Sequence, residues 1–150
     1  MLKIVATNKK AHTDYEVIEK LEAGMVLTGP EVKSLREGRI NLKDAYCRFK
    51  DGELYLVNAH ISPYKHSKYV SLDPERPRKL LLHKRELKRL LGKVAEKGFT
   101  IVPLKVYFNT KGIAKVEIAL AKGRRIYDKR EKIAQRDLER RLRREEKYYN

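Results

Sequence analysis

The stretch from Lys122 to Asn150 restricts the fold more than any other part of this chain. It reads KGRRIYDKREKIAQRDLERRLRREEKYYN, with twelve cations against six anions, a net of +6. Ile133, Leu138 and Leu142 follow one another at spacings of five and four. That stripe is too thin for the broad apolar face a core helix needs. Helix formers dominate after Asp128, and no Gly or Pro interrupts them. Such a segment is a marginal helix in water and a good one against a partner that accepts its arginines. The plainer alternative is a solvated charged tail. Either way it brings no core of its own, so the globular fold has to be built from the residues upstream.

Those residues are basic too. Of the net charge of +16 over 150 residues, +10 remains on the body once the tail is removed. An excess of cations over body and tail together predicts a polyanionic partner, and nucleic acid is the commonest. No apolar run approaches a membrane-spanning helix, and the tail lacks the apolar face of an interfacial one, so no membrane partner is expected. MLKIVATNKK has no continuous apolar stretch of the signal-peptide kind. A single cysteine, Cys47, excludes an internal disulfide framework and fits a reducing cytoplasm. It reads as a small buried side chain on a strand.

Along the chain, residues 1–13 carry Asn8, Lys9 and Lys10 and are expected as an extended arm. Partial alternation from Asp14 to Thr28 predicts a curved strand, bent or bulged at Gly24. Gly29-Pro30 opens a short helix with Val32 and Leu35 on its apolar side and Gly38 at its end. Asp51-Gly52 between Tyr46–Lys50 and Glu53–Val57 is a strong hairpin signal. From His60 to Lys79 the periodicity lapses around Pro63, Pro74 and Pro77, which predicts a long surface loop. Leu80-Leu81-Leu82 reads as a short buried piece. His83–Lys97 is the clearest helix, with Leu87, Leu90, Leu91, Val94 and Ala95 on one face and Gly98 closing it. Two strands, Phe99–Phe108 and Ile113–Ala121, flank the turn Asn109–Gly112. In the second, Val116, Ile118 and Leu120 alternate with Lys115, Glu117 and Ala119, which predicts one face in and one out. The expected fold is mainly β with two to three helices, an oligonucleotide/oligosaccharide-binding (OB-like) closed barrel over residues 1–122 including the arm. Residues 123–150 are the basic tail.

No constellation for catalysis is visible. His12, His60, His66 and His83 show no paired-ligand spacing, and one cysteine argues against a structural zinc site. The glycines form no phosphate-cradling motif, and no cofactor, metal or catalytic residue is expected. An RNA phosphodiesterase is the remaining enzyme alternative. The aromatics are more telling, with nine tyrosines, three phenylalanines and no tryptophan. Tyr64, Tyr69 and Tyr127 sit beside lysines or arginines, the combination that stacks unpaired bases while neutralising phosphates. Tyr46, Tyr55 and Tyr107 read instead as strand residues that pack. Arg36, Arg78 and Lys79, with Lys9 and Lys10, are the candidate phosphate contacts of the body. A ribosomal or single-strand RNA-binding barrel protein would share these features.

An ordered series of motifs narrows this further: NKKA at Asn8–Ala11, LEAGMVLTGPEVKSLREG at Leu21–Gly38, GELYL at Gly52–Leu56, RPRKLLLHKREL at Arg76–Leu87, GFTIVPLKVYF at Gly98–Phe108, KVEIALAKG at Lys115–Gly123 and YDKRE at Tyr127–Glu131. Over nearly its full length the chain resembles the small protein B family, bacterial proteins that bind transfer-messenger RNA (SsrA RNA) in ribosome rescue. The resemblance implies an OB-like barrel that holds the tRNA-like domain of that RNA. It also implies a tail, disordered when free, that turns helical in the messenger channel below the small-subunit decoding centre. A monomeric cytoplasmic adaptor is expected. The RNA-facing residues implied for the body are Asn8, Glu22, Arg36 and Leu81. Those implied for the tail are Lys122, Gly123, Arg124, Arg125, Tyr127, Asp128, Lys129 and Arg130. Read alone, Glu22 would be a solvated strand residue and Leu81 a core one. Tyr127 stands where many members of the family carry His, a change compatible with stacking but not with imidazole proton chemistry.

Overall fold

Asp51 and Gly52 both take positive φ, 53° and 78°, as a tight two-residue hairpin turn requires. In the computed structural model, which describes residues 2–64, 73–96 and 98–123, they join β4 (Tyr46–Lys50) to β5 (Glu53–Val57), with Tyr46 opposite Val57 and Lys50 opposite Glu53. The second hairpin is longer. β8 (Phe99–Phe108) and β9 (Ala114–Gly123) pair along their whole length. At the turn the Asn109 Oδ1 accepts from the backbone N–H groups of Lys111 and Ile113, both at 2.9 Å.

Onto these hairpins the other strands add edge to edge. β2 (Tyr15–Met25) runs antiparallel to β9 from Tyr15 opposite Gly123 to Gly24 opposite Lys115. Its irregularity lies between Val17 and Glu19, not at Gly24 as the sequence led us to expect. Gly24 is instead where β2 passes from β9 to β7 (Arg78–Leu81), facing Leu81 across the second pairing. A Cβ there would lie 3.3 Å from that of Leu81, so the glycine permits a close approach. β7 continues to β5, and β4 reaches β8 at Cys47 opposite Ile101. Followed from β8 through β4, β5, β7 and β2 to β9, the pairings lead back to β8. A separate two-stranded piece pairs β3 (Ile40–Asn41) with β6 (His60–Ile61).

The expected N-terminal arm is not an arm. Residues Lys3–Thr7 form β1, paired with the far half of β8 on the edge where β4 has ended, and Lys9–Asp14 form a short helix, α1. The Asn8 side chain caps this helix by accepting from the Ala11 N–H at 3.2 Å. α2 (Gly29–Arg36) begins as expected, with Thr28 and Glu31 exchanging the two bonds of a capping box, and Gly38 follows at φ 72°. α3 (Lys84–Val94) ends at Ala95, short of Gly98. Its buried stripe is also narrower than its periodicity implied. Leu90 is buried and Leu87 and Val94 pack beside it, whereas Leu91 is exposed.

The main core gathers Leu35, Leu54, Leu56, Leu80, Leu90, Val106, Val116 and Ile118. A fully buried side chain of this kind contributes about 1.5–3 kcal/mol. A second, smaller cluster corrects the one-face-in reading of β9. Ala119 and Ala121 are also buried, packed with Ala11, Val102 and Leu104. They lie on the sheet face opposite Ile118 and Leu120, and α1 covers that face at this point. The periodicity of β9 alone could not show a helix folding back from far away in sequence. At the body's end Lys122, where the barrel was expected to finish, and Gly123, expected as the first residue of the separate tail, are the final rungs of β9, and Gly123 is buried.

Candidate RNA-binding face

Strand register defines one outward face. Ile4 of β1 is opposite Tyr107 of β8, Tyr107 opposite Lys115 of β9, Lys115 opposite Gly24 of β2, and Gly24 opposite Leu81 of β7. Residues directly opposite one another project from the same side of a sheet, so these five form one transverse row. Ile4 at 53% and Leu81 at 52% exposure show that the side faces solvent. The neighbouring row runs Lys105, Glu117, Glu22. The face therefore mixes two lysines, two carboxylates and an exposed leucine seated over a glycine.

Within it, the Tyr107 hydroxyl donates to Glu22 Oε2. Burial first, then the Glu22 bond and the charges of Glu22 and Glu117, push the phenol well above its ordinary range, so it stays a donor. The Lys105 ammonium lies 5.9 Å from the same ring. Glu22 is exposed, and so is Leu81, although a run of three leucines reads as core. Lys9 and Lys10 are exposed on α1. Arg36 is exposed at the end of α2, 5.9 Å from the Phe108 ring. Lys79, half-buried on β7 two residues before Leu81, lies 3.7 Å from Glu53.

Two of the expected contact residues are committed elsewhere. Asn8 is buried; besides capping α1, its Nδ2 donates to the Pro103 carbonyl at 3.0 Å and its N–H to that of Leu104 at 2.7 Å. It ties α1 to β8. Arg78 requires a plain correction: it is 0% exposed and has no path to a phosphate. Its guanidinium donates to Glu31 Oε2 at 2.7 and 3.0 Å and to the carbonyls of Ala59 and Pro74 at 2.7 and 2.9 Å. Arg76 Nε donates to Glu31 as well, at 3.0 Å. Burial alone would raise the Glu31 carboxyl, but the Arg76 bond, the Thr28 N–H and Arg78 together hold it below the usual carboxylate range. This cluster fastens the segment around Pro74 to α2. The R-x-R spacing of Arg76 and Arg78, just before and at the start of β7, was its only sequence signal.

The remaining features are chemically quiet. Cys47 is buried on β4, and desolvation pushes its thiol up, so it is no nucleophile. Among the described residues no three His, Cys, Asp or Glu side chains are grouped as a metal would need. No helix among them is long and apolar enough to cross a membrane. A cavity of about 280 Å³ beside α1 is lined by Asn8, Lys10, Tyr15, Lys43, Asp44 and Tyr46, among others. Arg124, Arg125, Tyr127, Asp128, Lys129 and Arg130, with His66 and Tyr69, lie outside the described residues.

Sequence reasoning placed Tyr107 among packing tyrosines, gave Lys115 and Gly24 only structural readings, and passed over Lys105. Only pairing across β8, β9 and β2 puts them beside Glu22.

Comparison with known proteins shows the family. A family model for the SmpB protein matches residues 5–148. The chain is 57% identical over 142 residues to an SsrA-binding protein of Thermosipho melanesiensis, covering 95% of this chain and 97% of that one. It is 59% identical over 138 residues to the SsrA-binding protein of Symbiobacterium thermophilum, covering 92% and 87%. A solved structure described as "tmRNA-SmpB: a journey to the center of the bacterial ribosome" superposes with a TM-score of 0.66 at 56% identity, over 79% of this chain and 82% of that one. With a family model matched over almost its whole length and such relatives on either side, this chain belongs to the SmpB protein family.

Proposed function

We propose that this chain is an SsrA-binding adaptor of ribosome rescue. It holds the tRNA-like domain of transfer-messenger RNA on its folded body and presents its tail to the decoding centre of a stalled small subunit. The observation that carries the reading is the near-complete match to proteins named for binding SsrA, at more than half identity. The likeness to the tmRNA-SmpB structure supports the ribosome as the second partner. The circuit of strand pairings supports an OB-like closed barrel ending at Gly123, a fold whose outer face suits nucleic acid. The adaptor works in the cytoplasm without catalysing a reaction, and its tail is a separate unit that folds on binding. Within the body, Glu22 and Leu81 are the specific contacts. Lys9, Lys10, Arg36 and Lys79 supply phosphate neutralisation, as do Lys105 and Lys115. In the tail, Arg124, Arg125, Tyr127, Asp128, Lys129 and Arg130 make the ribosome contacts.

The direct test is to identify the RNA that co-purifies with the protein from cells. Transfer-messenger RNA must dominate; a general population of messenger or ribosomal RNA would reject the reading. Salt dependence tests the assigned cations. Arg36→Ala or Lys79→Ala should each flatten the slope of log K against log salt by about 0.7–0.9. If neither slope changes, neither side chain meets a phosphate. Glu22→Gln should cost about 1.5–3 kcal/mol of affinity for the tRNA-like RNA if its carboxylate accepts a directed bond. Tighter binding of that variant would mean that repulsion is all Glu22 contributes.

A further inference from the structure

A carboxylate on a phosphate-binding surface is costly, because it repels the ligand everywhere except where a donor meets it. It helps only if held still, since a freely rotating glutamate spreads its charge over the face and loses rotamer freedom on binding. Here the holding group is visible. Tyr107 stands on β8 and Glu22 on β2, with β9 between them. The bond from its hydroxyl to Glu22 Oε2 therefore requires the side chain to cross a whole strand. Tyr107 is only 5% exposed, so its position is set by packing. Glu22 Oε1 takes no bond from the described residues.

We propose that Tyr107 is a positioning residue for RNA recognition, clamping one oxygen of Glu22 so that the other accepts from a single ribose 2′-hydroxyl. This rests on the proposed RNA contact at Glu22. The sugar is preferred on chemical grounds. A guanine edge offers two adjacent donors and is met best by two unoccupied carboxylate oxygens. Adenine and cytosine edges set an acceptor beside their one amino donor, which a carboxylate repels. A 2′-hydroxyl asks for one acceptor only.

The experiment is a double-mutant cycle on the full chain, with a transcribed tRNA-like fragment of transfer-messenger RNA as probe. Tyr107→Phe keeps the ring and removes the donor. Its affinity should fall several-fold, up to about tenfold, with an unchanged salt slope and thermal midpoint. In the Glu22→Gln background the same change should move affinity less than about twofold. Equal losses in both backgrounds would make Tyr107 merely structural and overturn the proposal. So would a loss for Glu22→Gln with none for Tyr107→Phe. If neither variant weakens binding, the Glu22 contact itself is wrong and the proposal falls with it. Should Tyr107→Phe lower the midpoint, 3-fluorotyrosine placed at position 107 keeps the fold and strengthens the donor. Affinity must then shift in the Glu22 chain and not in the Gln one. A 2′-deoxy interference scan completes the test. One position should weaken binding to the parent chain yet be silent for Glu22→Gln, and a scan with no such position rejects the sugar contact.

Discussion

A chain ended at Gly123 will keep its thermal midpoint and hold the tRNA-like RNA within a few-fold, yet fail to rescue stalled ribosomes. The folded body needs β9 to its last rung. Gly123 is opposite Tyr15, Lys122 is opposite Glu16, and the Lys122 ammonium lies 4.9 Å from the Phe99 ring. Nothing beyond that point has the apolar face to join the core. The lost arginines remove some nonspecific attraction at low salt, an effect that shrinks as the Debye length does. A chain ended at Ala121, in contrast, should melt earlier, because it strips the last two pairings from β2. Within the tail, Gln135→Pro should cost about 3 kcal/mol of helix in the bound state and leave the circular dichroism of the free protein unchanged. Peptide transfer on stalled ribosomes, assayed beside RNA affinity and melting, checks all three chains. Full activity of the Pro variant, or a melted body in the Gly123 chain, would break the division into RNA holder and inducible ribosome probe.

The second large effect is at Arg78. Arg78→Met should destabilise the fold by about 3–5 kcal/mol, the cost of removing one partner from a buried ion pair. It removes the Arg78 donor from the Ala59 and Pro74 carbonyls and leaves Glu31 with only Arg76 and the Thr28 N–H. For a chain of this size that is a fall in midpoint on the order of 10 °C or more. Lysine should not rescue it, because one ammonium cannot reproduce the fork that serves a carboxylate and two carbonyls at once. Acid should act on the same cluster. Glu31 is held below its ordinary value in the folded state, so its stabilisation is complete above about pH 4.3, the unfolded value. It is lost as pH falls through the lower, folded value. Melting curves taken from about pH 6 down to about pH 3, roughly the span of carboxylate titration, should decline more steeply for the parent than for Glu31→Gln. An Arg78→Met chain that melts like the parent would show the cluster to be dispensable.

What could be read from the sequence alone is what neighbouring residues decide among themselves. Asp51-Gly52 set a turn because both residues tolerate positive φ. Pro30 starts a helix with its fixed φ, and Thr28 and Glu31 cap it through bonds spanning three residues. The span of β8 was legible to the residue, because a run rich in β-branched and aromatic side chains lies between Gly98 and Asn109. The motifs supplied the family, but not the working geometry.

That geometry is set by contacts between distant parts of the chain. Arg78 meets Glu31 across 47 residues, which turned an expected phosphate ligand into a buried anchor. Asn8 reaches Pro103 across 95, so an expected arm became a strand and a capped helix. Leu81 is exposed because its partner Gly24 places it on the outer side, whereas Leu80, one residue earlier, points to the core. Tyr107 finds Glu22 across 85 residues and an intervening strand. Composition and periodicity fix which side chains a strand offers to its two faces. Which strand lies next to it, and in what register, is decided by contacts between distant segments, and that pairing determines which charges are spent inside the protein and which stay on its surface.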